Sequence, residues 1–183
     1  MKHPTLILID VQKGFQDPRW GSRNNPDAEI NIRRLLDIWR EKKLQIIHIQ
    51  HCSTEETSTL RAGTPGHEFQ EETAPIGDEQ VIQKIVNSAF IGTNLDDYLK
   101  QSNTEELVIV GLTTDHCVST TTRMAGNLGY KTYLVSDGCA TFNRIDRFGR
   151  EILAEDIHQI HLASLDGEFC TVMTTNNVLK ALN

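Results

Sequence analysis

Apolar and polar positions follow one another along this chain in two kinds of block. Short apolar runs, "TLILI" at 5–9, "LQIIHIQ" at 44–50, "VIQK" at 81–84, "LVIV" at 107–110, "KTYLVS" at 131–136 and "CTVMTT" at 170–175, predict six strands. The most continuous of them suit strands buried on both faces. Between them the spacing turns helical. "EINIRRLLDIWREKK" at 29–43 places Ile32, Leu35, Leu36 and Trp39 on one face and charges on the other. "TNLDDYLKQS" at 93–102 predicts a helix capped by Thr93, and another runs from about Cys117 to Leu128 and stops at Gly129. This last segment, with "VSTTT" at 118–122, is a poor helix former. Packing through Val118, Thr121, Ala125 and Leu128 is expected to hold it. "RFGREILAEDIHQIHLAS" at 147–164 contains a further helix, and a short one ends the chain. Strands that alternate with helices predict an α/β fold, a parallel sheet covered on both faces by right-handed crossovers. The segment 51–79 is polar, without periodicity, and long enough to act as a lid.

The 183 residues fit one domain, 1–183. A net charge of -7 offers no basic footprint, which argues against nucleic acid as a partner. No apolar run approaches the ~18 residues of a membrane span, and the N-terminal run is interrupted at Asp10, so neither a span nor a secretion signal is expected. Cys52, Cys117, Cys139 and Cys170 show no C-x-x-C spacing, which speaks against a zinc knuckle or a disulfide framework and for a cytoplasmic location.

Ligands of open parallel sheets collect beyond the carboxyl ends of the strands. Asp10 closes the first strand, His51 follows the second, Lys84 closes the third and "GLTTDHC" at 111–117 follows the fourth. Cys117 is expected in the first turn of a helix, where unpaired amides and the helix dipole would lower its pKa and hold an oxyanion. Asp115 or Thr114 would cap that turn, and Gly111 would let the chain bend into it. A thiol attacking a carbonyl needs a group that takes its proton and later returns it to the leaving atom; Asp10 suits this, with Lys84 to orient it. Phe15 and Trp20 are candidates for an apolar wall of the pocket, Arg61 for a substrate carboxylate and His116 for the pocket lining. Adjacent helix residues diverge by roughly 100°, so His116 is a poorer base for Cys117 than Asp10. Asn143, Arg144 and Arg147 follow the fifth strand and are placed to reach the site or a neighbouring subunit. His158 and His161, near a helix end, receive no function.

"LILIDVQKGF" at 6–15, "VIQKIVNSAFIGTNLDDYL" at 81–99 and "LVIVGLTTDHCVSTTTRMAGNLGYKTYLVSDGCAT" at 107–141 together resemble the isochorismatase-like cysteine hydrolases, in the metal-independent branch. The resemblance covers nearly the whole chain and is weakest between 51 and 75. It implies a three-layer Rossmann-like sandwich with a six-stranded parallel sheet in the order 3-2-1-4-5-6. It also implies a triad of Asp10 as general base and acid, Lys84 as its charged partner and Cys117 as nucleophile. A cis peptide between Leu112 and Thr113 would turn the Thr113 N–H toward that of Cys117 as an oxyanion hole. The implied reaction is hydrolysis of a C–N bond in a small amide, ureido or carbamoyl compound through a thioester, without cofactor, by a homodimer or homotetramer.

Two other readings compete. One is a metal-dependent, nicotinamidase-like amidase. Its D-x-H-x-x-H motif is replaced here by "HIQHCSTEE" at 48–56, in which His48 and His51 fall on opposite faces of a strand. No metal is therefore expected, although His51, Glu55 or His67 would be the ligands if one bound. The other is a non-catalytic α/β small-molecule-binding protein. Neither a G-x-G-x-x-G nor a Walker sequence supports it.

Overall fold

The computed structural model describes residues 1–182. Six parallel strands form one sheet: β1 (Thr5–Ile9), β2 (Ile46–His51), β3 (Gln80–Lys84), β4 (Glu106–Leu112), β5 (Lys131–Ala140) and, after a small hairpin, β8 (Thr171–Met173). Their order is β3-β2-β1-β4-β5-β8. This is the expected order 3-2-1-4-5-6, with the strand at 170–175 taking the sixth place. The hairpin pairs β6 (Arg144–Ile145) with β7 (Glu151–Ile152) antiparallel and was not anticipated.

Alternate residues of the inner strands go to opposite layers. Leu6, Leu8, Val108 and Val110 meet Ile32, Leu35, Leu36 and Trp39 of α1 (Ala28–Glu41) and Val178 of α5 (Thr175–Leu182). Ile7, Ile9, Ile47, Ile49 and Ile109 meet the other layer, made by α2 (Leu95–Gln101), α3 (Ser119–Asn127) and α4 (Ala154–Leu165). Trp39 is fully buried and donates its indole N–H to Pro4 O at 2.9 Å. Truncating it to alanine would cost about 3–5 kcal/mol. No helix among the described residues is long and apolar enough to cross a membrane.

Local chemistry moves several boundaries. Helix α1 stops at Glu41 because Lys43 turns left-handed (φ 52°) and Leu44 N–H reaches back to Trp39 O. Asn94, not Thr93, occupies the cap position of α2; the Thr93 hydroxyl accepts from Leu95 N–H and donates to Ala89 O. The helix expected from Cys117 is a π-helical turn, Thr114–Val118, that runs into α3. Its buried face carries Val118, Thr121, Thr122 and Ala125, whereas Leu128 lies outside α3 and is exposed.

Strand β5 bulges opposite β4, since Ile109 pairs with Leu134 but Gly111 pairs with Cys139. Asn25 donates to the carbonyls of Ser136 and Cys139, and Asn31 to that of Asp137, so the surplus residues keep their hydrogen bonds. The 51–79 segment is tied down at the carboxyl ends of β1 and β2. Gln12 donates to the carbonyls of His51 and His67, Gln50 also donates to His67 O, and the Lys13 and Gln70 amides bond to Glu68 O and Val11 O.

Candidate active site

The carboxyl ends of β1, β3 and β4 bring Asp10, Lys84 and the turn bearing Cys117 together. Asp10 adopts a left-handed backbone (φ 52°), which an aspartate tolerates better than most residues, and so turns away from the end of β1. Gly111 makes the corresponding bend in β4. At φ 126° a Cβ there would lie 2.1 Å from Ile9 O, so only glycine lets β4 approach β1 this closely. The Leu112–Thr113 peptide that follows is cis.

Lys84 is the hub. Its Nζ donates to Asp10 Oδ2 at 2.6 Å and to Cys117 Sγ at 3.3 Å, and lies 3.1 Å from His51 Nδ1. The Lys84 and Asp10 side chains are both fully buried, and Cys117 is 8% exposed. Asp10 Oδ1, buried as well, has no hydrogen-bond partner. Burial raises the Asp10 pKa, against the opposing pull of the Lys84 charge. Burial, and after it the Asp10 charge, likewise hold the Cys117 thiol well above the ordinary cysteine range. The lowering expected from a helix N-terminus is therefore overturned, because desolvation and a neighbouring carboxylate outweigh a partial charge. Burial and the nearby ammonium keep the His51 pKa down, consistent with a neutral ring that accepts from Lys84.

The turn that carries Cys117 is held from outside. No side chain caps it, and neither Thr114 nor Asp115 plays the expected part. The Thr114 hydroxyl bonds to His158 Nδ1 of α4 at 2.8 Å. Asp115 accepts from the Thr141 hydroxyl and from Arg144 Nε at 2.9 Å. Burial opposes the Asp115 charge, but these bonds prevail and hold its pKa at about 2. Among the described residues, the Thr113 N–H donates to no protein group, which leaves it available to an oxyanion.

The outer candidates separate. Phe15 and Trp20 stack with Phe142, centroids 6.1 and 5.2 Å away, and this cluster packs on Leu112, beside the cis peptide. Phe142 had no sequence signal beyond being apolar. His116 is exposed, lies 3.4 Å from Asp115 and makes no hydrogen bond to Cys117. Arg61 is exposed in the 51–79 loop and forms no ion pair among the described residues. His158, left without a function, is almost fully buried beneath the Cys117 turn. His51 was noted only as a strand-end residue and possible metal ligand. Asn87, three residues past Lys84, was missed, and its Oδ1 lies 3.7 Å from Cys117 Sγ.

Residues 4–177 match the Isochorismatase domain family. The chain belongs to the isochorismatase family. An uncharacterized isochorismatase family protein of Bacillus subtilis, YrdC, is 48% identical over 175 residues, covering 96% of this chain and 94% of its own length. The crystal structure of a putative hydrolase of the isochorismatase family from Chromobacterium violaceum superposes with a TM-score of 0.95 at 47% identity, covering 98% of this chain and 93% of that one. Nicotinamidase 3 of Arabidopsis thaliana is 23% identical over 194 residues, covering 99% of this chain and 89% of its own length. The protein is accordingly an isochorismatase-family hydrolase with a small-molecule substrate.

Some arrangements of ligands in this family member raise the question of a metal. Single atoms of Asp10, His51 and Cys117 lie within 4.8 Å of one another. Lys84 Nζ, however, lies 2.6, 3.1 and 3.3 Å from Asp10 Oδ2, His51 Nδ1 and Cys117 Sγ. An ammonium already uses the lone pairs a divalent ion would need, so these residues do not fit a metal unless Lys84 withdraws.

Proposed function

We propose that this isochorismatase-family protein is a cysteine-dependent hydrolase of a C–N bond in a small amide, ureido or carbamoyl compound. The observation that carries the reading is the buried ammonium of Lys84, in hydrogen-bond reach of Asp10 and Cys117 at once. The likeness to a nicotinamidase supports an amide as substrate.

Asp10 takes the Cys117 proton as Sγ attacks the carbonyl carbon. The carbonyl π pair moves to oxygen, which the Thr113 and Cys117 N–H groups receive. As the tetrahedral centre collapses, Asp10 protonates the departing nitrogen, the C–N bond breaks and a thioester remains. Water, deprotonated by Asp10, then adds to the thioester; the C–S bond breaks, the acid leaves and the proton returns to sulfur. The Lys84 ammonium, within hydrogen-bond reach of both, offsets whichever of Asp10 and Cys117 is the anion.

The test is a screen of small amides and ureas for ammonia release, repeated with Cys117→Ala and after dialysis against a chelator. Turnover that Cys117→Ala abolishes without lowering the melting temperature, and that the chelator leaves unchanged, is expected. Turnover that survives Cys117→Ala would overturn the mechanism. Turnover lost to the chelator and restored by a divalent ion would favour the metal-dependent reading.

A further inference from the structure

Asn87 lies at the mouth of the site without a structural task. It is exposed, whereas Ser88 and Ala89, next in the chain, are buried. The segment is fixed to the layer that carries the nucleophile, since Ala89 N–H donates to the Thr121 hydroxyl of α3 at 3.0 Å and the Thr93 hydroxyl donates back to Ala89 O. That anchoring sets Asn87 Oδ1 3.7 Å from Cys117 Sγ. The side-chain amide has no other hydrogen bond among the described residues. Its Oδ1 accepts from the Cys117 thiol, so the acceptor is freed when the sulfur loses its proton, beside whatever carbonyl carbon the sulfur attacks.

We infer that Asn87 is a specificity-determining residue that accepts an N–H from the nitrogen side of the scissile bond, so that the site selects N–H-bearing amides, ureas and carbamoyl groups over esters and fully substituted amides. The inference rests on Cys117 being the nucleophile. The inference directs the substrate oxygen to the Thr113 N–H and assigns its nitrogen to the space between Asp10 Oδ1, which lacks a partner, and Asn87 Oδ1. Asp10 then delivers a proton to the nitrogen lone pair while Asn87 Oδ1 holds an N–H. An ester oxygen has no such hydrogen and meets Asn87 Oδ1 lone pair to lone pair, so it forgoes the bond that an N–H makes.

The test uses two alkylating probes of equal chemistry, iodoacetamide and 2-iodo-N,N-dimethylacetamide, with labelling of Cys117 followed by peptide mass spectrometry. Free glutathione supplies the intrinsic rate ratio of the pair. The wild-type protein is expected to favour iodoacetamide by about tenfold beyond that ratio, as one hydrogen bond would provide. Asn87→Leu is expected to bring the ratio to that of glutathione. Asn87→Asp, which keeps the acceptor oxygen, is expected to retain it. A ratio unchanged in Asn87→Leu, including the case in which both rates fall together, would overturn the inference. A wild-type ratio equal to that of glutathione would do the same. Should neither probe label Cys117 in the folded protein while both label it after denaturation, the reading of Cys117 as nucleophile fails first and takes this one with it.

Discussion

Replacing Lys84 with methionine keeps most of the side-chain volume and removes only the charge at the centre of the site. The contact it breaks is 2.6 Å long, between two groups with no solvent exposure. Asp10 would be left as a buried carboxylate, and removing one partner of such a pair typically destabilises by about 3–5 kcal/mol. For a chain of this size, at about 2–4 °C per kcal/mol, the melting temperature should fall by roughly 6–20 °C. The loss should depend on pH. Without Lys84, burial raises the Asp10 pKa above its unfolded value unopposed by that charge. The stability tied to the protonated form is then complete below the unfolded pKa and is lost as pH rises through the folded one. The gap between Lys84→Met and wild type should therefore be widest at neutral and alkaline pH and narrow toward pH 4. Thermal melts of Lys84→Met, Asp10→Asn and the double variant across that range are the assay. The double variant should recover most of the loss, because it removes the stranded charge together with its partner. Strict additivity of the two single losses, or a Lys84→Met melt equal to wild type at pH 8, would refute the reasoning.

Other consequences follow from the same geometry. Because burial raises the Asp10 pKa, and only the carboxylate can take the thiol proton, kcat/KM should fall on the acid side at a pH above the usual carboxylate range; Asp10→Asn should abolish turnover at every pH. Asp115, with its pKa held at about 2, contributes stability above its unfolded pKa that is lost as pH falls through the folded one. Asp115→Asn should therefore lower the melting temperature at pH 7 and converge on wild type as pH approaches 2 in a melting series. Gly111→Ala would put a Cβ 2.1 Å from the backbone oxygen of Ile9, which no side-chain adjustment relieves. It should cost more than about 3 kcal/mol in denaturant titration, in the upper range for single substitutions.

The six strands were legible because short, largely apolar runs alternate with segments of helical period, and their order because three blocks of the chain resemble the isochorismatase-like hydrolases. Asp10, Lys84 and Cys117 were legible because strand ends are where such sheets hold their chemistry. What escaped depends on contacts between distant segments. The β6–β7 hairpin arises from "NRIDRFGREI", a polar stretch with two-residue strands that no periodicity can mark. The bulge of β5 exists because Asn25 and Asn31, more than a hundred residues earlier in the chain, satisfy its carbonyls. His158 received no function from the sequence, yet its place under Thr114 follows from how α4 packs on the Cys117 turn. Asn87 carries no motif, and the anchoring of Ala89 on Thr121, two residues on, holds it near the sulfur.

The resting state of Cys117 shows how a local argument can point the wrong way. A helix start favours a thiolate, but here three groups share one buried ammonium. Passing the proton from sulfur to Asp10 converts a carboxylate, ammonium and thiol into a carboxylic acid, ammonium and thiolate, so the net charge of the cluster stays at zero. Burial then does not oppose the transfer as it would oppose the creation of a new charge. The transfer is uphill chiefly because an ordinary thiol is a weaker acid than an ordinary carboxylic acid by about 4.6 pKa units, roughly 6 kcal/mol. Lys84 Nζ, 2.6 Å from the Asp10 oxygen and 3.3 Å from the sulfur, adds about 1.4 kcal/mol in the same sense at an effective dielectric constant of about 20. Moving the ammonium toward sulfur would offset only that smaller share. The thiol therefore stays protonated at rest, and the proposed nucleophile is generated as its bond to the carbonyl carbon begins to form, without a charge entering or leaving the site.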